Sequence, residues 1–386
     1  MNKKVAIFSD VNPTKSYSCI QYLAEALYEL NVSVDLYAKI PIQDMCHTKK
    51  WRFNVKSIYC FSYGKIPVLR RLIAQIHFFI LSAFIYQNII IHELTFFRVA
   101  WLAKKINKKL KVIHYATELY DESDEPKHKS LLKFYRNHSS LPDLIVECNE
   151  QRSDLRRKMF RARSPMVVIP NTIPIDSNVA LDNISNDSCC KAFNNAPLKL
   201  IYTGAAYLHR ELDRIIDAFS MCNLSDKLSL VLVCYGPEVD IKRLRDYCDS
   251  TIPGRYVMYT NLSRDEALKY VAKSDMGIVY YRPSLSMGNR FAAPTKFYEY
   301  LSLGLPVVCS NNDSLMPILD EYNIGKYVKD ESVEALSNAI LEVYHALVNK
   351  QLSRAEIRHI FIDKLEYGVS SKNSINIIVN ELVGNE

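Results

Sequence analysis

Glycine is scarce: there are ten in 386 residues, and only Gly64 precedes residue 204. The first half therefore holds no GxGxxG turn and no P-loop, and the second half has no GxxxxGK[ST]. A dinucleotide fingerprint and a nucleoside-triphosphate cradle are both missing, which disfavours a dehydrogenase or a kinase. Ten cysteines are scattered without a CxxC pair, and only Cys189 and Cys190 are adjacent. That pattern speaks for reduced thiols and against a disulfide frame or a zinc site. No DxD triplet ends a strand-like run and no spaced His/Cys cluster occurs, so no metal is expected. A signal-peptide pattern is also missing: MNKKVAIFSD runs directly into a strand-like segment, as in a cytosolic protein.

What is present is apolar mass and uneven charge. At 48% hydrophobic and 24% charged residues, the chain can bury a large core, and its length suggests two domains. Residues 1–180 carry 27 Lys+Arg against 16 Asp+Glu (+11), and the remainder 22 against 26 (−4). A basic first half implies an anionic surface or ligand: a membrane, a phosphorylated acceptor or nucleic acid. Nucleic acid ranks last, because the aromatic residues follow strand and helix periodicities instead of forming a basic platform. The stretch Leu72 to Ile91 is long enough to cross a bilayer. It contains Gln75, His77, Gln87 and Asn88, however, and its end, NIIIHE, reads as a buried strand. A helix followed by a strand is expected there, with peripheral lipid contact over residues 66–101 left open.

Short apolar strands alternate with amphipathic helices along the whole chain. Strands are expected in KVAIFSD, VSVDLYAK, KSIYCF, NIIIHE, KVIHYATE, DLIVECN and MVVIPN, and then in KLIYTGA, LSLVLVCYG, YVMYTN, MGIVYY and PVVCSN. Two such series predict two α/β domains with parallel sheets covered on both faces. The boundaries read as 1–175, a polar linker at 176–197, 198–365, and a carboxyl-terminal helix at 366–386 packed on one of the domains.

The stretch APTKFYEYLSLGLPVV concentrates the chemistry. Pro294 and Thr295 signal a helix start, with Thr295 as N-cap, and Gly304 with Pro306 closes the helix after about two turns. Its first N–H groups suit a phosphate, and Lys296 adds a full charge beside them. Glu299, one turn on, offers acceptors for the two hydroxyls of a ribose. The plainer alternative is an i,i+3 Lys–Glu surface pair worth about 0.3 kcal/mol.

This run resembles the P-x-K-x-x-E-Y-L-x-x-G-x-P-V-V signature of GT-B glycosyltransferases, group 1 or family-4-like. Pro294, Lys296, Glu299, Tyr300, Leu301, Gly304, Pro306, Val307 and Val308 fit it. KLIYTGAAYLHRELDRIIDAF, LVLVCYGPE and YVMYTNLSRDEALKYVAKSDMGIVYY follow in the family's order, so the pattern spans residues 110–345. The resemblance implies two Rossmann-like domains facing across a cleft, with a nucleoside-diphosphate sugar as donor substrate and no further cofactor. It implies that Gly204, Gly236, Asn261, Leu262, Asn289, Pro294, Thr295, Lys296 and Glu299 border the nucleotide sugar. Of the basic pair that grips the diphosphate in the family, the first position is Ala205 here, which leaves Arg210, beside His209, together with Lys296. The first of the two glutamates spaced eight apart in retaining members is Phe291, so the donor sugar would meet Asn289 or Arg290 instead.

In the first domain Glu118 follows a strand end and suits a catalytic base, with His114 behind it. A solvated acidic loop is the alternative, since Asp121, Glu122, Asp124 and Glu125 follow. His92 and Glu93 end another strand at the same rim, and Asp10 follows the first strand, on the acceptor side, although a histidine on an apolar strand is more often a satisfied core residue. Lys296 and Arg210 would neutralise the leaving diphosphate without a metal ion. The expected activity is glycosyl transfer to a saccharide or lipid-linked saccharide in surface-glycan synthesis. A nucleotide-sugar epimerase of the same fold and a non-catalytic, nucleotide-binding or scaffolding subunit are the alternatives.

Overall fold

The computed structural model describes residues 4–14, 19–58, 67–120, 128–175 and 198–383; a few side chains within these ranges, Arg210's among them, are not described. The expected linker and the acidic run 121–125 lie outside the described residues. The chain divides into two compact units, 1–171 with 367–386, and 172–366.

Unit 1 is built on seven strands: β1 (Lys4–Phe8), β2 (Ser33–Ala38), β3 (Asn54–Ser57), β4 (Asn88–His92), β5 (Lys111–Tyr115), β6 (Leu144–Glu147) and β7 (Met166–Val168). They form one parallel sheet in the order β3-β2-β1-β4-β5-β6-β7. Helices cover both faces, which is why the central strands read as unbroken apolar runs; Val5, Ala6, Ile7 and Phe8 are all fully buried. The third strand lies earlier than KSIYCF predicts. It is a polar edge strand, because Asn54 and Lys56 reach across to the buried Asp35 carboxylate on β2. Burial raises the Asp35 pKa, but Tyr86, Lys4, Asn54 and Lys56 outweigh it and hold the group at about 2. The expected helix-then-strand reading of Leu72 to Ile91 holds: a helix Pro67–Ile80, a π-helical turn Leu81–Ile85, then β4. The carboxyl-terminal helix Lys372–Val383 packs in this unit, where Glu381 pairs with Lys111 and Ser374 donates to the Val168 carbonyl.

Unit 2 holds β8 (Leu198–Ala205), β9 (Leu228–Tyr235), β10 (Tyr256–Thr260), β11 (Met276–Val279), β12 (Val307–Cys309) and β13 (Gly325–Tyr327). Their order is β10-β9-β8-β11-β12-β13, again all parallel. Strand β13 was not expected. It has three residues, too few for a period, and pairs because Gly325 lets the Val307 carbonyl approach to where a Cβ would lie at 2.1 Å. In each sheet the order reverses once, between β1 and β4 and between β8 and β11. A crevice opens beyond the strand ends at such a reversal, and ligands of open α/β sheets bind there.

Candidate active site

The carboxyl edge of the second sheet collects most of the predicted nucleotide-sugar residues. Gly204 lies near the end of β8, and Gly236 follows β9. The Asn261 side chain, from a left-handed residue (φ 54°) just past β10, accepts the Gly236 N–H at 3.2 Å, while its own N–H donates to the Cys234 carbonyl. This ties the ends of β9 and β10 together and leaves Leu262 half-buried on the same rim.

The signature helix spans Thr295–Ser302. Its N-cap is Pro294 and not Thr295 as expected. Pro294 is extended (φ −77°, ψ 131°), its carbonyl already accepts the Phe297 N–H, and no side chain caps this end. The other end closes in a Schellman motif. Leu305 N–H bonds the Tyr300 carbonyl, Gly304 N–H bonds that of Leu301, and Gly304 is left-handed (φ 76°). A Cβ on Gly304 would stand 2.3 Å from the Arg354 carbonyl oxygen. The Arg354 guanidinium in turn bonds the Leu303, Ser274 and Ala272 carbonyls.

Tyr300 sets the height of this helix over the sheet. Its hydroxyl accepts the Thr203 N–H at 2.9 Å, and its ring lies flat on Gly277 of β11, where a Cβ would come within 2.1 Å of ring carbon. One turn earlier, Lys296 therefore arrives at the β8/β11 reversal. Its Nζ is 4.3 Å from the centre of the Tyr202 ring, 5.5 Å from that of Tyr281 and 3.0 Å from where a Gly204 Cβ would sit. Burial raises the Tyr202 pKa well above its ordinary value, with the nearby Tyr281 adding to it, so the Tyr202 ring faces the ammonium as a neutral π-system.

Glu299 points toward β10. Its carboxylate, 16% exposed, accepts Arg264 Nε at 2.8 Å. Arg264 opens the helix Arg264–Ala272, held by a Ser263/Glu266 capping box directly after the Asn261–Leu262 rim. The two residues expected to replace the missing sugar-binding glutamate both have partners within unit 2. Asn289 Nδ2 donates to the Arg282 carbonyl, and Arg290 pairs with Asp313 at 2.9 Å. Phe291 is buried and Ala205 half-buried. Arg210 lies on the π-helical turn Leu208–Leu212, with its side chain outside the description.

In unit 1, Glu118 follows β5. Its loop is clamped from two sides. Glu93, left-handed at φ 60° just past β4, accepts the Thr117 N–H and hydroxyl at 2.6 Å each and the Glu118 N–H at 2.9 Å. From the other side Arg152 bonds the Thr117 carbonyl and Arg156 that of Glu118. Burial, reinforced by the Glu118 charge, lifts the Glu93 carboxyl to about 7 despite these donors.

The two predicted histidines lie in the core of unit 1. His92 is fully buried, with Nδ1 3.0 Å from Ser9 Oγ and Nε2 3.0 Å from Thr117 Oγ1, and burial lowers its pKa to about 3. His114 is fully buried among Phe97 and Tyr135, and burial keeps it neutral. Both point into the unit because they alternate onto covered faces of central strands. Asp10 is half-buried and accepts the Thr95 hydroxyl at 3.0 Å, beside the β1/β4 reversal. Three contributors went unnoticed in the sequence: Tyr202, Tyr281 and Arg264. Tyr202 lies within β8 two residues before Gly204, and Tyr281 lies just past the end of β11; closeness to a carboxyl strand end is the signal that could have found them.

Two parallel-sheet α/β units, the second with a lysine-bearing helix over its strand reversal, define a GT-B protein. Residues 189–356 match the family model described as "Glycosyl transferases group 1". The similarity to that family thus covers 168 of the chain's 386 residues, most of unit 2. It is similar in structure to a glycosyltransferase from Rickettsia africae ESF-5, at 14% identity over 100% of both chains and a TM-score of 0.75. HepE from Anabaena in complex with UDP-glucose is 15% identical over 98% of both chains, with a TM-score of 0.67. WaaG, a glycosyltransferase involved in lipopolysaccharide biosynthesis, is 11% identical over 99% of this chain and 100% of its own, with a TM-score of 0.66. At these identities the likeness shows the fold. No curated protein matches the chain.

Proposed function

We propose that unit 2 holds a nucleoside-diphosphate sugar and that its glycosyl group passes to a saccharide or lipid-linked saccharide acceptor in surface-glycan assembly. The observation that carries this reading is the Lys296 ammonium at the β8/β11 reversal, over Gly204 and beside an N-terminus that no side chain caps. A diphosphate there would meet a full charge and a helix dipole. Glu299, one turn along, would take the ribose hydroxyls, with Arg264 holding its carboxylate in place, and Asn261 and Leu262 would border the base. In the transfer, the acceptor oxygen bonds the anomeric carbon while the bond from that carbon to the diphosphate oxygen breaks. The nucleoside diphosphate leaves with the electron pair, and the acceptor proton passes to Glu118. Lys296 and Arg210 offset the charge on the leaving group, with no metal ion required.

The test is thermal stabilisation by a panel of nucleoside diphosphates, beginning with UDP, the nucleotide of HepE's bound sugar. Lys296→Ala removes a charge-assisted bond worth about 1.5 to 3 kcal/mol, so affinity should fall about 12- to 150-fold. No stabilisation of folded wild-type protein by any member of the panel would overturn the reading.

A further inference from the structure

Unit 1 displays an apolar stripe that its own fold leaves uncovered. On the helix Pro67–Ile80, Leu69, Leu72, Ile76 and Ile80 are each at least 42% exposed. At about 100° per residue they fall within about 80° of one another on the helix surface. The π-helical turn Leu81–Ile85 continues the stripe. One extra residue in that turn brings Phe84 and Ile85 outward together, each 65% exposed. The opposite side of the same helix is core, with Ala74 and Phe78 buried. The neighbouring helix Phe97–Ile106 adds exposed Leu102 and Ile106, and Asn107 fixes its end by donating to the Ser82 and Tyr86 carbonyls.

The segment that carries this face is strongly basic, although Lys104 and Lys111 in it are paired with Asp143 and Glu381. Residues 45–117 hold 13 Lys+Arg and a single acidic residue, Glu93, which is buried. Arg71 is exposed beside Leu72, Lys105 sits 3.7 Å over the Trp101 ring, and Lys108 and Lys109 are exposed just past Ile106. Apolar side chains along one helix, flanked by cations, match a layer with anionic headgroups above hydrocarbon. A second copy of this chain would bring the same cations against these, so like charges oppose self-association. No helix among the described residues is long and apolar enough to cross a membrane, and 14 residues of helix span only about 21 Å. Such a helix lies in the surface of a bilayer.

We infer that the face formed by Pro67–Ile85 and Phe97–Lys109 docks unit 1 onto an anionic lipid bilayer. The inference deepens the proposed reading, because it specifies where a lipid-linked acceptor would be met, and it uses none of the residues of the nucleotide site. Full-length protein is mixed with phosphatidylcholine vesicles, with or without phosphatidylglycerol as about a third of the lipid, and the bound fraction is read by flotation. Binding is expected only with the anionic vesicles and should weaken as salt rises. Phe84→Ser with Ile85→Ser, and separately Lys108→Glu with Lys109→Glu, should each lower partitioning at least about tenfold. Both pairs are exposed, so Tm and stabilisation by nucleoside diphosphate should stay at wild-type values. Absent binding, or binding that neither variant weakens, overturns the inference. So does a dimer in sedimentation velocity that Phe84→Ser with Ile85→Ser dissolves, since the face would then be a self-interface. Donor binding is measured separately, so failure here leaves the nucleotide reading standing, and failure there leaves the docking face testable.

Discussion

Replacing Glu93 by glutamine should make unit 1 more stable at alkaline pH and leave it nearly unchanged at acid pH. Glu93 is 7% exposed, and burial with the nearby Glu118 charge lifts its carboxyl from the ordinary 4.5 to about 7. Folded protein therefore holds a proton that unfolded protein has lost between those two values. Stability must fall as pH rises through that window. Each tenfold difference in proton affinity is worth about 1.36 kcal/mol, so the cost is about 3 kcal/mol, fully present above pH 7. Glutamine keeps an oxygen for the Thr117 and Glu118 donors and cannot ionise. Wild-type stability alone will not show this cleanly, because buried His92, lowered to about 3, imposes the opposite slope below 6.5. The difference between wild type and Glu93→Gln isolates the carboxylate. Trp51 and Trp101 are the only tryptophans in the chain and both lie in unit 1, so urea unfolding followed by their fluorescence reports this unit alone. The variant should match wild type near pH 4 and exceed it by about 3 kcal/mol near pH 8. A difference that stays flat across that range would refute the reasoning.

Gly277→Ala should cost about 1 to 3 kcal/mol in unit 2 by forcing the Tyr300 ring off β11, and should weaken nucleotide binding with it, measured by thermal unfolding and titration. Arg156→Leu removes the partner of Glu147, which is fully buried, and should cost about 3 to 5 kcal/mol by urea denaturation at pH 7. Glu299→Gln should lose about 1.5 to 3 kcal/mol of affinity for a ribonucleoside diphosphate and markedly less for its 2′-deoxy form, by calorimetry. Equal losses for the two would mean that Glu299 serves only to hold Arg264.

Much of the fold was legible because it rests on local pattern. Short apolar runs between amphipathic helices mark parallel strands covered on both faces, and that rhythm is written residue by residue. What escaped was whatever lacked a period of its own: β13 with three residues, and β3, whose polar side chains make sense only opposite Asp35. The candidate site was legible in part. The spacing of Lys296, Glu299 and Gly304 defines one face and one end of a helix wherever that helix packs.

The amino-acid order by itself therefore determined the two α/β series, the closing turn of the signature helix and the basic character of the first half. Tertiary structure decided the partners. Tyr202 and Tyr281 reach Lys296 only because β8 and β11 become neighbours across the sheet reversal. Arg264 meets Glu299 across 35 residues for a similar reason, since β10 lies beside β9 and not beside β11. His92 and His114 carry polar rings suited to chemistry, yet the sheet turns both inward, and Glu93, one residue past β4, became the buried acid instead. Periodicity is set by bonds between near neighbours, whereas the identity of a contact depends on which crossover places which strand alongside. That choice is made only when the whole core closes.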